Sequence, residues 1–195
     1  MKKPLIVIFL VLLLDQIAKI WVKTTMAIGE AIPVFGKWFY IQFVENNGMA
    51  FGWEFSAAEW GKLLLSLFRV AAVIFLFWVL VKLVKKEVKF GPLFGISLII
   101  AGALGNIIDG MFYGLIFDYA GFLQGRVVDM LFFPLFTFPD WFPFFGGEIF
   151  FSPVFNIADS AITIGVFYLI FFQWSFIKNI ESILGIEKKQ NGERN

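Results

Sequence analysis

The chain has 195 residues, of which 59% are apolar, 20% aromatic and only 16% charged, and its formal net charge is +1. That apolar fraction exceeds a soluble domain's, and the charge balance offers no basic footprint for nucleic acid. There is no His and no Cys, which removes imidazole bases, thiolate nucleophiles, disulfides and most zinc sites, and leaves Asp, Glu, Lys, Ser, Thr and Tyr for any chemistry.

In chain order, four stretches are long enough to cross a bilayer as helix, at roughly 20 apolar residues each. They are 4–21, 63–84, 90–112 and 155–176. They predict one integral membrane domain over 1–187: a membrane all-α bundle of four transmembrane helices with a small extracytoplasmic β-sheet element. The first stretch follows Lys2 and Lys3 as a secretory signal would, but Asp15 and Lys19 interrupt it and no small-x-small cleavage motif follows. It is read as a retained span. In the outer loop 22–62, Trp38 to Val44 reads as a strand, with Pro33 and Gly36 before it and Asn46-Asn47-Gly48 as a turn after it. A lone strand is marginal, so a small sheet on the membrane surface is expected. Lys82, Lys85, Lys86 and Lys89 fill the turn between the second and third spans. The outer loop 113–154 contains a very aromatic stretch broken by Pro134, Pro139, Pro143 and Pro153, which excludes a regular spanning helix. Trp141 and its Phe neighbours suit the headgroup region. Lys178 follows the last span, and the tail 188–195 is polar. Lysines concentrate at both termini and at the two–three turn, which puts those segments in the cytoplasm and both long loops outside.

Asp129 and Asp159 are the first candidates for chemistry, each at the edge of a span near the outer surface. Two carboxylates brought together cannot both ionise easily, so one keeps a proton and serves as acid while the other serves as base. Taken singly, Asp159 also fits a helix N-terminal carboxylate and Asp129 a solvated loop residue. Spacing does not say whether the two meet. Asp15 and Lys19 lie four apart on one face of the first span, as a mutually neutralising brace or as a substrate contact. Asn106 and Asp109 share a face of the third span, as a structural polar knot or as part of the site. Asn156 is placed to cap the fourth span. Arg69 in the second span either pairs with one of these acids or snorkels to a lipid phosphate. A Ser–Lys dyad finds no Ser beside Lys19 in sequence.

These segments, in this order, resemble the lipoprotein signal peptidases (signal peptidase II), membrane aspartic peptidases of bacteria. Asp15-Gln16 with Lys19 matches the first box, and Asn46-Asn47-Gly48-Met49-Ala50-Phe51 resembles the family's Asn-x-Gly-x-Ala-Phe box. Gly105-Asn106-Ile107-Ile108-Asp109 with Val127-Val128-Asp129 resembles the third box, and Phe155-Asn156-Ile157-Ala158-Asp159-Ser160 the fourth. The resemblance covers nearly the whole chain. It implies a catalytic pair Asp129 and Asp159, supported by Asp15, Lys19, Asn46, Gly48, Asn106, Asp109, Asn156 and Ala158. It also implies an enzyme of the bacterial inner membrane with no metal or organic cofactor and no obligate protein partner. Its substrates would be lipid-modified prolipoproteins met among membrane lipids, cut just before the lipidated cysteine at the extracytoplasmic face. The chain departs from the family in having Gly110 where an Arg usually follows the third-box Asp, a role then expected of Arg126, with Arg69 the other candidate. The segments 111–125 and 134–153 look long for the family.

A transporter or channel subunit with a path of acids, and a non-catalytic assembly factor, are the rival classes. The first would distribute acids through the membrane depth, whereas here all but Asp15 gather near one side. The second gives no reason for polar boxes in both outer loops and at both span ends.

Overall fold

The computed structural model describes residues 1–47 and 59–185. Helix α1 (Lys2–Thr25) leads through strands β1 (Ala31–Phe35) and β2 (Phe39–Asn46) to α2 (Glu59–Lys85). A short turn enters α3 (Phe90–Ile108), which continues through a π-helical turn (Asp109–Tyr113) and a last α-turn, α4 (Gly114–Ile116). Strand β3 (Val127–Phe132), the hairpin β4 (Phe136–Thr137) and β5 (Ile149–Phe150), and β6 (Val154–Phe155) precede α5 (Ile157–Phe172). Two short helices close the described chain, α6 (Trp174–Lys178) and α7 (Ile180–Leu184).

Among the described residues, three helices are long and apolar enough to cross a membrane: Lys2–Thr25, Ser66–Lys85 and Phe90–Ile116. The third extends beyond its expected end at 112, because the π turn carries the helix on instead of ending it. Helix α5 has 16 residues, about 24 Å of helix against about 30 Å of hydrocarbon, and is shorter than the stretch 155–176. Phe155 belongs to β6, Asn156 caps α5, and Gln173 leaves helical geometry at φ −124° and ψ 28°, so the apolar run is divided at both ends.

Helix α3 is the hub, packed against α1, α2 and α5. Its contact with α5 is close because small residues face each other: a Cβ on Gly102 would overlap the Ala158 carbonyl oxygen, and one on Gly165 would lie 2.8 Å from the Gly95 carbonyl oxygen. The side chains of α1 divide by face, with Phe9, Leu14 and Ile17 exposed and Ile8, Asp15, Lys19 and Val22 buried. In water the exposed set would be a liability; in lipid it is the natural surface.

The four-stranded sheet runs β1-β2-β3-β6, antiparallel throughout. Pro33 precedes strand β2, as the sequence indicates, and itself lies in β1. Strand β1 is an edge, where a missing N–H is tolerated, and the register shifts between Pro33 and Phe35. Phe43, Val128 and Met130 turn inward onto Val22, Met26 and Tyr113, which fastens the sheet to the ends of α1 and α3. The strand order therefore delivers Asn46, Asp129 and the entry to α5 to one end of the bundle.

Candidate active site

The site begins with a lysine inside a helix. Lys19 and Asp15 are one turn apart on the inward face of α1 and both are fully buried. Lys19 Nζ lies 2.9 Å from Asp15 Oδ2 and 2.9 Å from Asp109 Oδ2, and donates to Asn106 Oδ1 at 3.0 Å. Its three protons are thus all used. Gln16 Nε2 donates to Asp109 Oδ1 at 3.0 Å and to the Gly105 carbonyl at 3.3 Å, while its Oε1 accepts from the Tyr113 hydroxyl at 3.2 Å. The triad also fixes its surroundings. Asp15 Oδ1 accepts from the Ala158 N–H at 2.8 Å, tying α1 to the first turn of α5. Asp109 Oδ2 accepts from the Val128 N–H at 3.2 Å, tying α3 to β3. The irregular π turn that starts at Asp109 is the kind of helix defect found at functional sites.

Beside this triad stand two carboxylates held by amides alone. Asp129, on β3, is 2% exposed; its Oδ1 accepts from Asn156 Nδ2 at 2.6 Å and its Oδ2 from Asn46 Nδ2 at 3.2 Å. Asp159, in the first turn of α5, is half-buried, and its Oδ1 accepts from Asn106 Nδ2 at 2.7 Å. Asn156 is the hinge of the arrangement. Its Oδ1 accepts from the Asp159 N–H at 2.8 Å while Asp159 Oδ2 accepts from the Asn156 N–H at 3.4 Å, a reciprocal capping box. Its Nδ2 is shared between Asp129 and Asn106 Oδ1, the latter at 3.1 Å. A single cap residue therefore touches both acids. Burial first, and the charge of Asp159 second, push the Asp129 carboxyl up to about 7, against the opposing pull of the Asn46 and Asn156 amides. Such a pair carries one proton near neutrality and can act on a peptide carbonyl and a water together.

The sequence expectations fall out unevenly on this geometry. Asp15, Lys19, Asn46, Asn106, Asp109, Asp129, Asn156 and Asp159 form one continuous hydrogen-bonded network. Asp129 is a buried strand residue, not a solvated loop residue: its backbone pairs with Val44 of β2 and its carboxylate is closed in by Asn46 and Asn156. Ala158 serves through its N–H on Asp15 and through its small side chain, which lets Gly105 approach. A Cβ on Gly105 would lie 2.5 Å from Asp15 Oδ2, so glycine is required there. Gly48 lies outside the described residues. Arg126 is turned away from these acids: its Nη1 lies 2.8 Å from Glu45 Oε2, and its guanidinium stacks over the Tyr119 ring at 5.5 Å. Lys23 pairs with the same Glu45 and sits 4.5 Å from the Tyr119 ring centroid. Burial raises the Glu45 carboxyl, but Lys23 and Arg126 outweigh it and hold the group below its ordinary value. Tyr113 went unnoticed in the sequence; its place four residues after Asp109 on a helix was the available signal. Among the described residues no group of three or more acids is placed to hold a metal ion.

The profile of a family described as "Signal peptidase (SPase) II" matches residues 7–175. The chain belongs to the signal peptidase II family. A lipoprotein signal peptidase from Porphyromonas gingivalis is 50% identical, over 84% of this chain and 79% of the relative. One from Amoebophilus asiaticus is 38% identical, over 80% and 71%. A solved structure described as a bacterial membrane enzyme aligns with a TM-score of 0.59 at 27% identity, covering 99% of this chain and 96% of that one. A second, described in the same words, gives 0.58 at 29% identity, covering 87% and 91%. As a member of the signal peptidase II family, the chain is a membrane peptidase of the aspartic type. The family boxes read in the sequence are the segments that carry the network: α1, the end of β2, α3 with β3, and the start of α5.

Proposed function

We propose that this signal peptidase II removes the signal peptide from diacylglyceryl-modified bacterial prolipoproteins, hydrolysing the peptide bond just before the lipidated cysteine. The reading rests on Asn156, whose side chain touches Asp129 and Asp159 at once and so defines a carboxylate pair. Asp129, buried and raised to about 7, keeps the shared proton. Asp159 is the more exposed member and serves as base. It takes a proton from water as the water oxygen attacks the scissile carbonyl, and Asp129 gives its proton to the carbonyl oxygen. The tetrahedral intermediate collapses as the proton on Asp159 passes to the leaving nitrogen and the hydroxyl proton returns to Asp129. The C–N bond breaks and the pair regains its single proton. Asn46 and Asn106 orient the two acids from opposite sides.

In this reading the enzyme lies in the inner membrane with four crossing helices, α5 being the fourth. Both termini are cytoplasmic and the site is at the extracytoplasmic face. Lysines at the cytoplasmic end of α2, Lys82 and Lys85, support that orientation. The hairpin β4–β5 carries Trp141 and Phe144, 79% and 96% exposed, which suits the lipid interface through which a diacylglyceryl substrate would enter. The test is incubation of the purified protein in detergent with a lipidated precursor and with the same precursor lacking the diacylglyceryl group. The expected outcome is cleavage of the first, with lipidated cysteine as the new N-terminus. Cleavage elsewhere, or equal cleavage of both, would overturn the assignment.

A further inference from the structure

The charges at the site do not balance by the ion pairs alone. Four carboxylates, those of Asp15, Asp109, Asp129 and Asp159, stand here against one ammonium, that of Lys19. Uncompensated charge at a membrane edge is costly. Lys23 and Arg126 both close on Glu45 and are not available. Among the described residues, one further cation stands close by. Arg69, on α2, is half-buried and makes no hydrogen bond or ion pair among the described residues. It lines a small cleft between α2 and α3 with Ser66, Asn106, Ile107, Gly110 and Met111. Asn106 is the residue that donates to Asp159. The acids whose charge acts on Arg69 are Asp159, then Asp129, then Asp109. The cleft is open over Gly110, where an added Cβ would meet nothing within 4 Å.

We propose that Arg69 is the counter-charge of the carboxylate pair, a positioning residue that reaches the site from α2 through the space Gly110 leaves open. The inference rests on the aspartic reading above. Arginine suits the task, since its guanidinium stays charged and is weakly hydrated, so it can stand in a cleft where ammonium would be costlier. Its effect is to offset the negative charge of the pair as a unit. Among the described residues, the charged groups facing the pair are Asp15 and Lys19 from α1, Asp109 from the π turn after α3 and Arg69 from α2, with Glu45 on β2 closed by its own partners.

The test is the pH profile of kcat/KM for a lipidated precursor in detergent, for wild type, Arg69→Gln, Arg69→Lys and Arg69→Gln/Gly110→Arg. Removing the cation should move both limbs to higher pH by about one pH unit. Arg69→Gln then loses about tenfold in rate on the acidic limb and gains on the alkaline limb, a gain that mere structural damage does not give. Arg69→Lys, still cationic but costlier to bury, should move the limbs less than Arg69→Gln does, and Gly110→Arg should restore them in the double variant. Unmoved limbs in Arg69→Gln overturn the proposal and leave a snorkelling arginine. If Arg69→Gln does not fold, the double variant decides, because a cation at position 110 should return both folding and the wild-type limbs; a double variant that is inactive or has displaced limbs counts against the idea. Asp129→Asn is measured alongside. Activity in that variant would sink the aspartic reading itself, whereas its loss together with unmoved Arg69→Gln limbs would sink only the role of Arg69.

Discussion

Asp15, Lys19 and Asp109 form a buried ion triad in which every proton of the ammonium has a partner, whereas Asp129 and Asp159, immediately beside it, are held by the amides of Asn46, Asn106 and Asn156. All five groups are charged or chargeable and lie at the same end of the bundle, yet the donors differ. A direct ion pair gives a carboxylate a formal counter-charge at a fixed place, which suits an anchor for the Ala158 and Val128 N–H groups. An amide donor orients a carboxylate without a formal charge, so desolvation and the neighbouring acid still govern Asp129 and its proton remains movable. The triad is built to stay as it is and the pair is built to change.

The strongest way to break that distinction is to remove chemistry from one half and leave the scaffold. Asp129→Asn and Asp159→Asn should each lower cleavage of a lipidated precursor by at least ~10²-fold, since an amide cannot titrate. Both proteins should still purify as folded species with thermal transitions close to wild type or higher. Turnover near wild type in either variant would return both acids to the scaffold.

The reverse experiment removes the scaffold's cation. Lys19→Met leaves Asp15 and Asp109 buried beside each other without their counter-charge, which should cost about 3–5 kcal/mol of stability. Thermal unfolding in detergent reads this directly. A transition close to wild type would mean that the triad is not the anchor the geometry describes.

The third and smallest effect is on pH dependence. The Asp129 carboxyl is raised to about 7 in the folded protein, while an unfolded Asp ionises near 4. The folded state therefore binds the extra proton between those values. The stability this group contributes is complete below about pH 4 and is lost as pH rises through about 7. Activity should share the upper edge, falling above about pH 7 as the pair loses its only proton. Thermal scans of wild type and Asp129→Asn from pH 4.5 to 8 test the first statement: the variant should not show the wild-type decline. A decline common to both proteins would place the titrating group elsewhere.

Much of this was written along the chain. Apolar stretches near 20 residues specify spans whatever their neighbours, because a bilayer leaves a helix no other way to satisfy its backbone. Asn156 followed by Asp159 encodes its own capping box within four residues, and Asp15 with Lys19 its own ion pair within one turn. The polar boxes in order pointed to the family before any contact was known. What the sequence left undetermined are the long-range meetings. That Asp129 is buried strand and not solvated loop follows from its pairing with β2 and from Asn46 and Asn156 on its carboxylate, segments far apart in the chain. The strand that holds Pro33, β1, is recognised as a sheet edge only from its pairing with β2. Arg126, three residues before Asp129, is the natural partner by proximity, yet Glu45 holds it away, and Arg69 from another helix lines the cleft instead. Local signals fix helices and caps because their partners lie within a turn. The choice of which charge faces which acid is made only when α1, α2, α3, α5 and the sheet close around one end of the bundle, where an unpaired charge costs more than the rearrangement that pairs it.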